Sequence, residues 1–138
     1  MARLFEMFVA EWTRARLPAP FQLRAQESVV LRGSGRVRFD LDLVLYEAAG
    51  GRARAVLDTK YKRPARPSSA DVAQVVAYAT AKRCSEAWLV YPEVPDDPLD
   101  VHVGNVRVRT VGFALDGDLD EAGTAFLSRV LPPLARVA

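Results

Sequence analysis

The chain has one cysteine and one histidine in 138 residues, and each scarcity excludes something. Cys84 alone cannot close an internal disulfide, and His102 alone cannot build a histidine metal cluster. The expected setting is therefore reducing and cytoplasmic. No stretch approaches the ~18 apolar residues of a membrane span, so no membrane role is expected. The apolar N-terminus is interrupted by Glu6 and Glu11 and lacks a small-residue cleavage site, so it does not read as a signal peptide. A Gly-rich phosphate loop is missing, so the chain is expected to bind and hydrolyse no nucleotide itself. Nothing supports Ser–His or Cys–His nucleophilic catalysis, and repeats and low-complexity segments are absent.

What remains is an ordinary globular composition. Half of the residues are hydrophobic and 26% are charged, which fits one domain over residues 1–138 with a real core. The net charge of +2 hides an asymmetry. Residues 1–66 hold thirteen Lys and Arg against seven Asp and Glu, whereas residues 67–138 hold six against ten. The basic half includes Arg36, Arg38, Arg52, Arg54, Lys62, Arg63 and Arg66. Such a half is either a solvated basic face or the seat of a polyanion.

Periodicity gives the order of elements. Arg3 to Ala15 is predicted helical, with Leu4, Phe5, Phe8, Val9 and Trp12 on one apolar arc and Glu6 with Thr13 on the polar flank. Phe21 to Leu31 is a predicted strand, followed by a turn at Gly33-Ser34-Gly35. Arg36 to Tyr46 alternates, with Phe39, Leu41, Leu43 and Leu45 on one face and Arg38, Asp40, Asp42 and Val44 on the other. Ala49-Gly50-Gly51 turns the chain into the strand expected to bear both Asp58 and Lys60. Ser68 or Ser69 is expected to cap a helix to about Lys82. On that helix Asp71, Gln74 and Tyr78 make a polar stripe, with Gln74 and Tyr78 one turn apart. Glu86 to Tyr91 is a short apolar strand. A hairpin follows around Gly104-Asn105, then a helix over Leu119 to Val130 stopped by Pro132-Pro133.

The chemistry concentrates at Ala55-Val56-Leu57-Asp58-Thr59-Lys60-Tyr61-Lys62. In a strand, Asp58 and Lys60 point to one face. They form either a solvated ion pair or a carboxylate that holds a hard cation beside a lysine that offsets phosphate charge. Antiparallel pairing of the two preceding strands brings Asp42 toward Asp58. Two carboxylates so placed need a cation between them or a proton on one, and Mg²⁺ suits that geometry.

Taken in series, these segments resemble the PD-(D/E)xK nuclease superfamily and, more narrowly, the C-terminal nuclease domain of McrC, the cleavage subunit of modified-cytosine restriction systems. The resemblance rests on Leu4-Phe5-Glu6-Met7-Phe8-Val9, Leu41-Asp42-Leu43-Val44-Leu45 and Val56-Leu57-Asp58-Thr59-Lys60-Tyr61-Lys62. It continues through Asp71-Val72-Ala73-Gln74-Val75-Val76-Ala77-Tyr78-Ala79 and Leu89-Val90-Tyr91-Pro92. It implies an α/β fold, a restriction-endonuclease-like mixed central sheet flanked by helices, and a Mg²⁺-dependent DNA endonuclease for which Mn²⁺ can substitute. Asp42, Asp58 and the Thr59 backbone carbonyl are the implied metal ligands, with Glu6 facing the metal from the first helix. Lys60 is the implied charge-stabilising residue, and Gln74 and Tyr78 frame the site as in RecB-type nucleases. Arg36, Arg38, Lys62, Arg63 and Arg66 are expected to hold the DNA backbone. Two departures stand out: Leu41 precedes Asp42 where the family often has Pro, and Asp40 competes with Asp42 as first ligand. An AAA+ GTPase motor of the McrB kind is the implied partner, and cutting both strands calls for a homodimer or assembly on that motor. The alternative is a non-catalytic nucleic-acid-binding or motor-engaging module on the same fold.

Overall fold

In the computed structural model, residues 1–33, 35–47 and 51–131 are described. The turn residues Ser34, Ala49 and Gly50 and the helix stop at Pro132-Pro133 lie outside them. The order is α1 (Ala2–Arg16), β1 (Phe21–Val30), β2 (Arg38–Glu47), β3 (Arg52–Thr59), α2 (Ser69–Ala81), β4 (Glu86–Tyr91), β5 (Asp100–Val103), β6 (Val106–Gly112) and α3 (Leu119–Val130). The strands form one mixed sheet in the order β1-β2-β3-β4-β6-β5. β1, β2 and β3 are antiparallel neighbours, as short turns require. β3, β4 and β6 run parallel, with α2 as the crossover between the first two, and β5 closes the edge as a hairpin with β6. Among the described residues, no helix is long and apolar enough to cross a membrane.

The central strands are apolar on both faces because both are covered. One face packs Leu43, Leu45, Leu57, Trp88 and Val90 against Phe5, Val9 and Trp12 of α1 and Phe126 of α3. The other packs Leu41, Val44, Val56, Leu89 and Tyr91 against Val75 and Ala79 of α2. Trp12 ties the two helices of the first layer together, donating Nε1–H to Asp120 Oδ1 at 3.1 Å. α2 starts at a capping box in which Ser68 and Asp71 exchange hydrogen bonds at 3.1 and 3.0 Å.

Three expectations need correction. Leu4 is 59% exposed and outside the core, whereas Thr13 is buried at 3%, so the buried arc of α1 is rotated toward Thr13. The alternation of β2 also fails midway. Phe39 and Leu41 pack on the α2 face, but Leu43 and Leu45 pack on the α1 face. β1 switches at the matching point, with Leu23 and Ala25 on the α1 face and Val29 on the α2 face. Between them stands Gln26 in the left-handed region at φ 58; the antiparallel register places it level with Asp42. A residue in that conformation breaks the extended pleat, so both strands change face there. Finally, β3 ends at Thr59, and Lys60 lies one residue beyond it.

Candidate functional site

The β2–β3 ladder ends at the Leu43–Leu57 pair, and the site is built in the gap beyond. Thr59 there has no strand partner on the β2 side. Its N–H and hydroxyl both donate to Asp42 Oδ2, each at 2.9 Å. Its carbonyl lies on the same edge of the strand as the N–H and faces the same gap. Asp58, only 5% exposed, sits at the end of the strand held to β4. Its Oδ2 is sealed from solvent without a well-directed hydrogen bond. Lys60 Nζ stands 2.8 Å away as an ion pair.

Lys60 is fixed from several sides. Its backbone N–H donates to the Val90 carbonyl at 2.8 Å. Its ammonium donates to Gln74 Oε1 at 3.0 Å, and Asp71 Oδ1 lies 3.7 Å off. Gln74 in turn donates Nε2–H to the Tyr78 hydroxyl at 3.0 Å, so the polar stripe of α2 reaches Asp58 through Lys60. From the other face, Glu6 enters from α1, held by Gln26 and Arg3.

Charges in the cluster work against one another. Burial, then the Asp42 charge, raise the Glu6 carboxyl to about 7. The same two causes, opposed by Lys60, raise Asp58 to about 6. Burial disfavours the Lys60 ammonium, yet Asp58 and Asp71 outweigh it and push its pKa above the ordinary value. Burial also pushes Asp71 up, but Lys62 and the Ser68 N–H hold it below the usual range. Lys60 is therefore a firmly charged cation beside carboxylates that lack enough countercharge.

Among the described residues no three His, Cys, Asp or Glu side chains enclose a metal ion by themselves. A donor set of Asp42, Asp58 and the Thr59 carbonyl fits Mg²⁺ nonetheless, because that ion takes one or two carboxylates and keeps several waters. The sealed Oδ2 of Asp58, ion-paired with Lys60 but without a directed hydrogen bond, is an atom such a ligand would satisfy.

The structure thus brings together Glu6, Asp42, Asp58, Thr59, Lys60, Gln74 and Tyr78. Asp40 is not among them: it is exposed, accepts from Ser28 Oγ at 2.7 Å and pairs with Arg38 at 3.4 Å. Of the basic residues, Lys62 pairs with Asp71 at 2.7 Å and Arg63 with Glu93 at 3.4 Å. Arg66 and Arg36 are exposed. Arg52 and Arg54 lie at the far end of β3. Gln26 and Tyr91 were not foreseen. The Tyr91 hydroxyl is buried without a partner, and burial followed by the Asp71 and Asp58 charges raises its pKa. Tyr91 stood in the sequence only within an apolar strand and the Leu89-Val90-Tyr91-Pro92 segment of the resemblance, and neither gave its hydroxyl a role.

Fold and site together define a mixed α/β protein with an acidic, lysine-bearing centre at an open end of its sheet. Residues 1–92 match the family described as "McrBC 5-methylcytosine restriction system component". The chain belongs to that family. No curated protein matches it. Among solved structures it is similar to a chain of the half-complex from the tetradecameric assembly of Thermococcus gammatolerans McrB AAA+ hexamers with bound McrC. That likeness has a TM-score of 0.75 at 17% identity and covers 95% of this chain. The chain spans 33% of the length of the one it matches.

Proposed function

We propose that this chain is a Mg²⁺-dependent DNA endonuclease domain of the PD-(D/E)xK type, the nuclease part of a McrC-like subunit in a modification-dependent restriction system. The observation that carries the reading is the ion pair of Lys60 with the sealed oxygen of Asp58, beside Asp42 in the strand gap. Membership of a 5-methylcytosine restriction family supports DNA as the substrate. The likeness to a chain of an McrB–McrC assembly supports an McrB-like AAA+ partner.

Asp42, Asp58 and the Thr59 carbonyl would hold Mg²⁺ or Mn²⁺, with Glu6 reaching in from α1. When bound there, the cation supplies Lewis acidity toward water and a phosphate oxygen. Lys60, kept charged by Asp58 and Asp71, orients the attacking water and stabilises the charge that builds on the phosphate. Gln74 holds the Lys60 ammonium in place, and Tyr78 holds Gln74. Arg36, Arg38, Lys62, Arg63 and Arg66 grip phosphates without reading bases. Recognition of the modified base then falls to a partner. Cutting both strands needs two copies of this one-site domain, through a homodimer or a motor assembly.

Plasmid cleavage in Mg²⁺ tests the proposal. Wild-type protein is expected to nick or linearise the plasmid, and EDTA or Asp58→Ala to stop it. Cleavage that survives Asp58→Ala would overturn it.

A further inference from the structure

An open groove of about 1050 Å³ lies at the opposite end of the sheet from Asp58. The starts of β3, β4 and β6, the loop after α2 and the end of α3 form its walls. Arg52 and Thr59 are seven residues apart on β3, roughly 23 Å at ~3.3 Å per residue. An occupant of the groove therefore leaves the acidic end clear.

Among the described residues, six arginines and no lysine line the groove, and Glu86 is the one acidic side chain there. Three of the arginines are already committed. Arg107 forks onto Asp100 at 2.8 and 2.7 Å, and Arg54 lies 3.6 Å from Glu47. Arg109 bonds Glu86 at 2.6 Å and stacks 4.0 Å over Trp88. The other three, Arg52, Arg83 and Arg129, are exposed and pair with no acid among the described residues. Like charges gathered around a concavity repel one another, and a matching anion removes that cost. Guanidinium in particular matches carboxylate or phosphate through paired N–H donors.

Lining and size decide between the two anions. Val76, Val103, Val106 and Leu131 line the groove together with the arginines, and a phosphodiester backbone offers such side chains nothing. The volume lies just above the ~300–1,000 Å³ range of ligand pockets, which suits a short run of peptide and not a duplex. Residues 132–138, which follow Leu131, bring one arginine and no acidic side chain. We propose that this groove docks an acidic segment of a protein partner, with Arg52, Arg83 and Arg129 taking its carboxylates and the valines its apolar side chains. The proposal rests on the groove alone and stands apart from the nuclease reading.

Fluorescence anisotropy on the full chain tests it, with a short labelled peptide rich in Glu and Leu as the probe. The same peptide with Lys for Glu and a labelled DNA duplex serve as comparisons. The acidic peptide is expected to bind saturably and the lysine peptide not at all. The triple variant Arg52→Ser, Arg83→Ser, Arg129→Ser is expected to weaken peptide binding about tenfold or more, since it removes three charge-assisted contacts. Duplex affinity and the thermal unfolding midpoint are expected to hold. Peptide binding that ignores the triple variant overturns the proposal. So does a variant that loses duplex binding while keeping the peptide, because the groove is then a nucleic-acid contact.

Discussion

Asp42 Oδ2 accepts both the backbone N–H and the hydroxyl of Thr59, each at 2.9 Å, just past the last rung of the β2–β3 ladder. A side chain takes over where backbone pairing stops. This keeps the gap between the strands open while fixing the Asp42 carboxylate beside Asp58. Thr59→Val keeps the β-branched shape and removes one of the two donors. The expected loss is about 1–2 kcal/mol, the worth of a hydrogen bond to a carboxylate at a half-buried site. Urea denaturation at neutral pH should show a lower midpoint with an unchanged slope.

Under the proposed function, cation and pH are linked through Glu6 and Asp58. Both carboxyls are raised on folding, to about 7 and about 6, so the folded chain binds protons more tightly than the unfolded one. The stability they contribute is fully present below their ordinary values near pH 4 and is lost as pH rises through about 6 to 7. In EDTA, the melting temperature attributable to these groups is expected to fall between pH 5 and pH 8. Millimolar Mg²⁺ is expected to flatten that fall, because a bound cation takes over from the protons. A pH profile that Mg²⁺ leaves untouched would remove the cation from the account.

Gly123 gives a test of packing that leaves the site alone. In a helix interior Gly→Ala ordinarily stabilises by about 0.5–1 kcal/mol. Here a Cβ on Gly123 would run into the Trp12 ring. That ring is pinned by its bond to Asp120 and by edge contact with Phe113 at 5.3 Å, so it has little room to yield. Gly123→Ala is therefore expected to destabilise by about 1–3 kcal/mol, the cost of overpacking. Calorimetry would check the sign.

Gln74 touches the site through Lys60, and under the proposed function its substitution should read differently from loss of the lysine itself. Gln74→Ala removes the acceptor 3.0 Å from the ammonium but leaves Asp58 to hold it. Cleavage is expected to slow by about tenfold, against about 10²–10³-fold for Lys60→Ala, the scale for losing a transition-state donor outright. Single-turnover rates at saturating protein would separate the two.

Much of this was legible in the sequence because it is local. The helix cap at Ser68 or Ser69, the strand that carries Asp58, the Gln74–Tyr78 stripe and the apolar β4 all follow from spacing within one element. The choice between Asp40 and Asp42 was not legible. It depends on a switch of face shared by two strands, set by the left-handed backbone of Gln26, which no periodicity in β2 reveals. Nor could the helical wheel of α1 show that Thr13 is buried and Leu4 exposed, because the packing of α3 and β1 decides that. Arg52 and Arg54 looked like neighbours of Asp58 along the chain. An eight-residue strand puts them at the other end of the sheet.

We propose a division of labour within one cluster, in which carboxylates bind the cation and Lys60 does not. Calorimetric Mg²⁺ titration and plasmid cleavage on the same preparations of wild type, Asp58→Ala and Lys60→Ala test it most directly. The account expects wild type to bind and cut, Asp58→Ala to do neither, and Lys60→Ala to bind Mg²⁺ without cutting. Unchanged Mg²⁺ binding by Asp58→Ala, or full cleavage by Lys60→Ala, would contradict it.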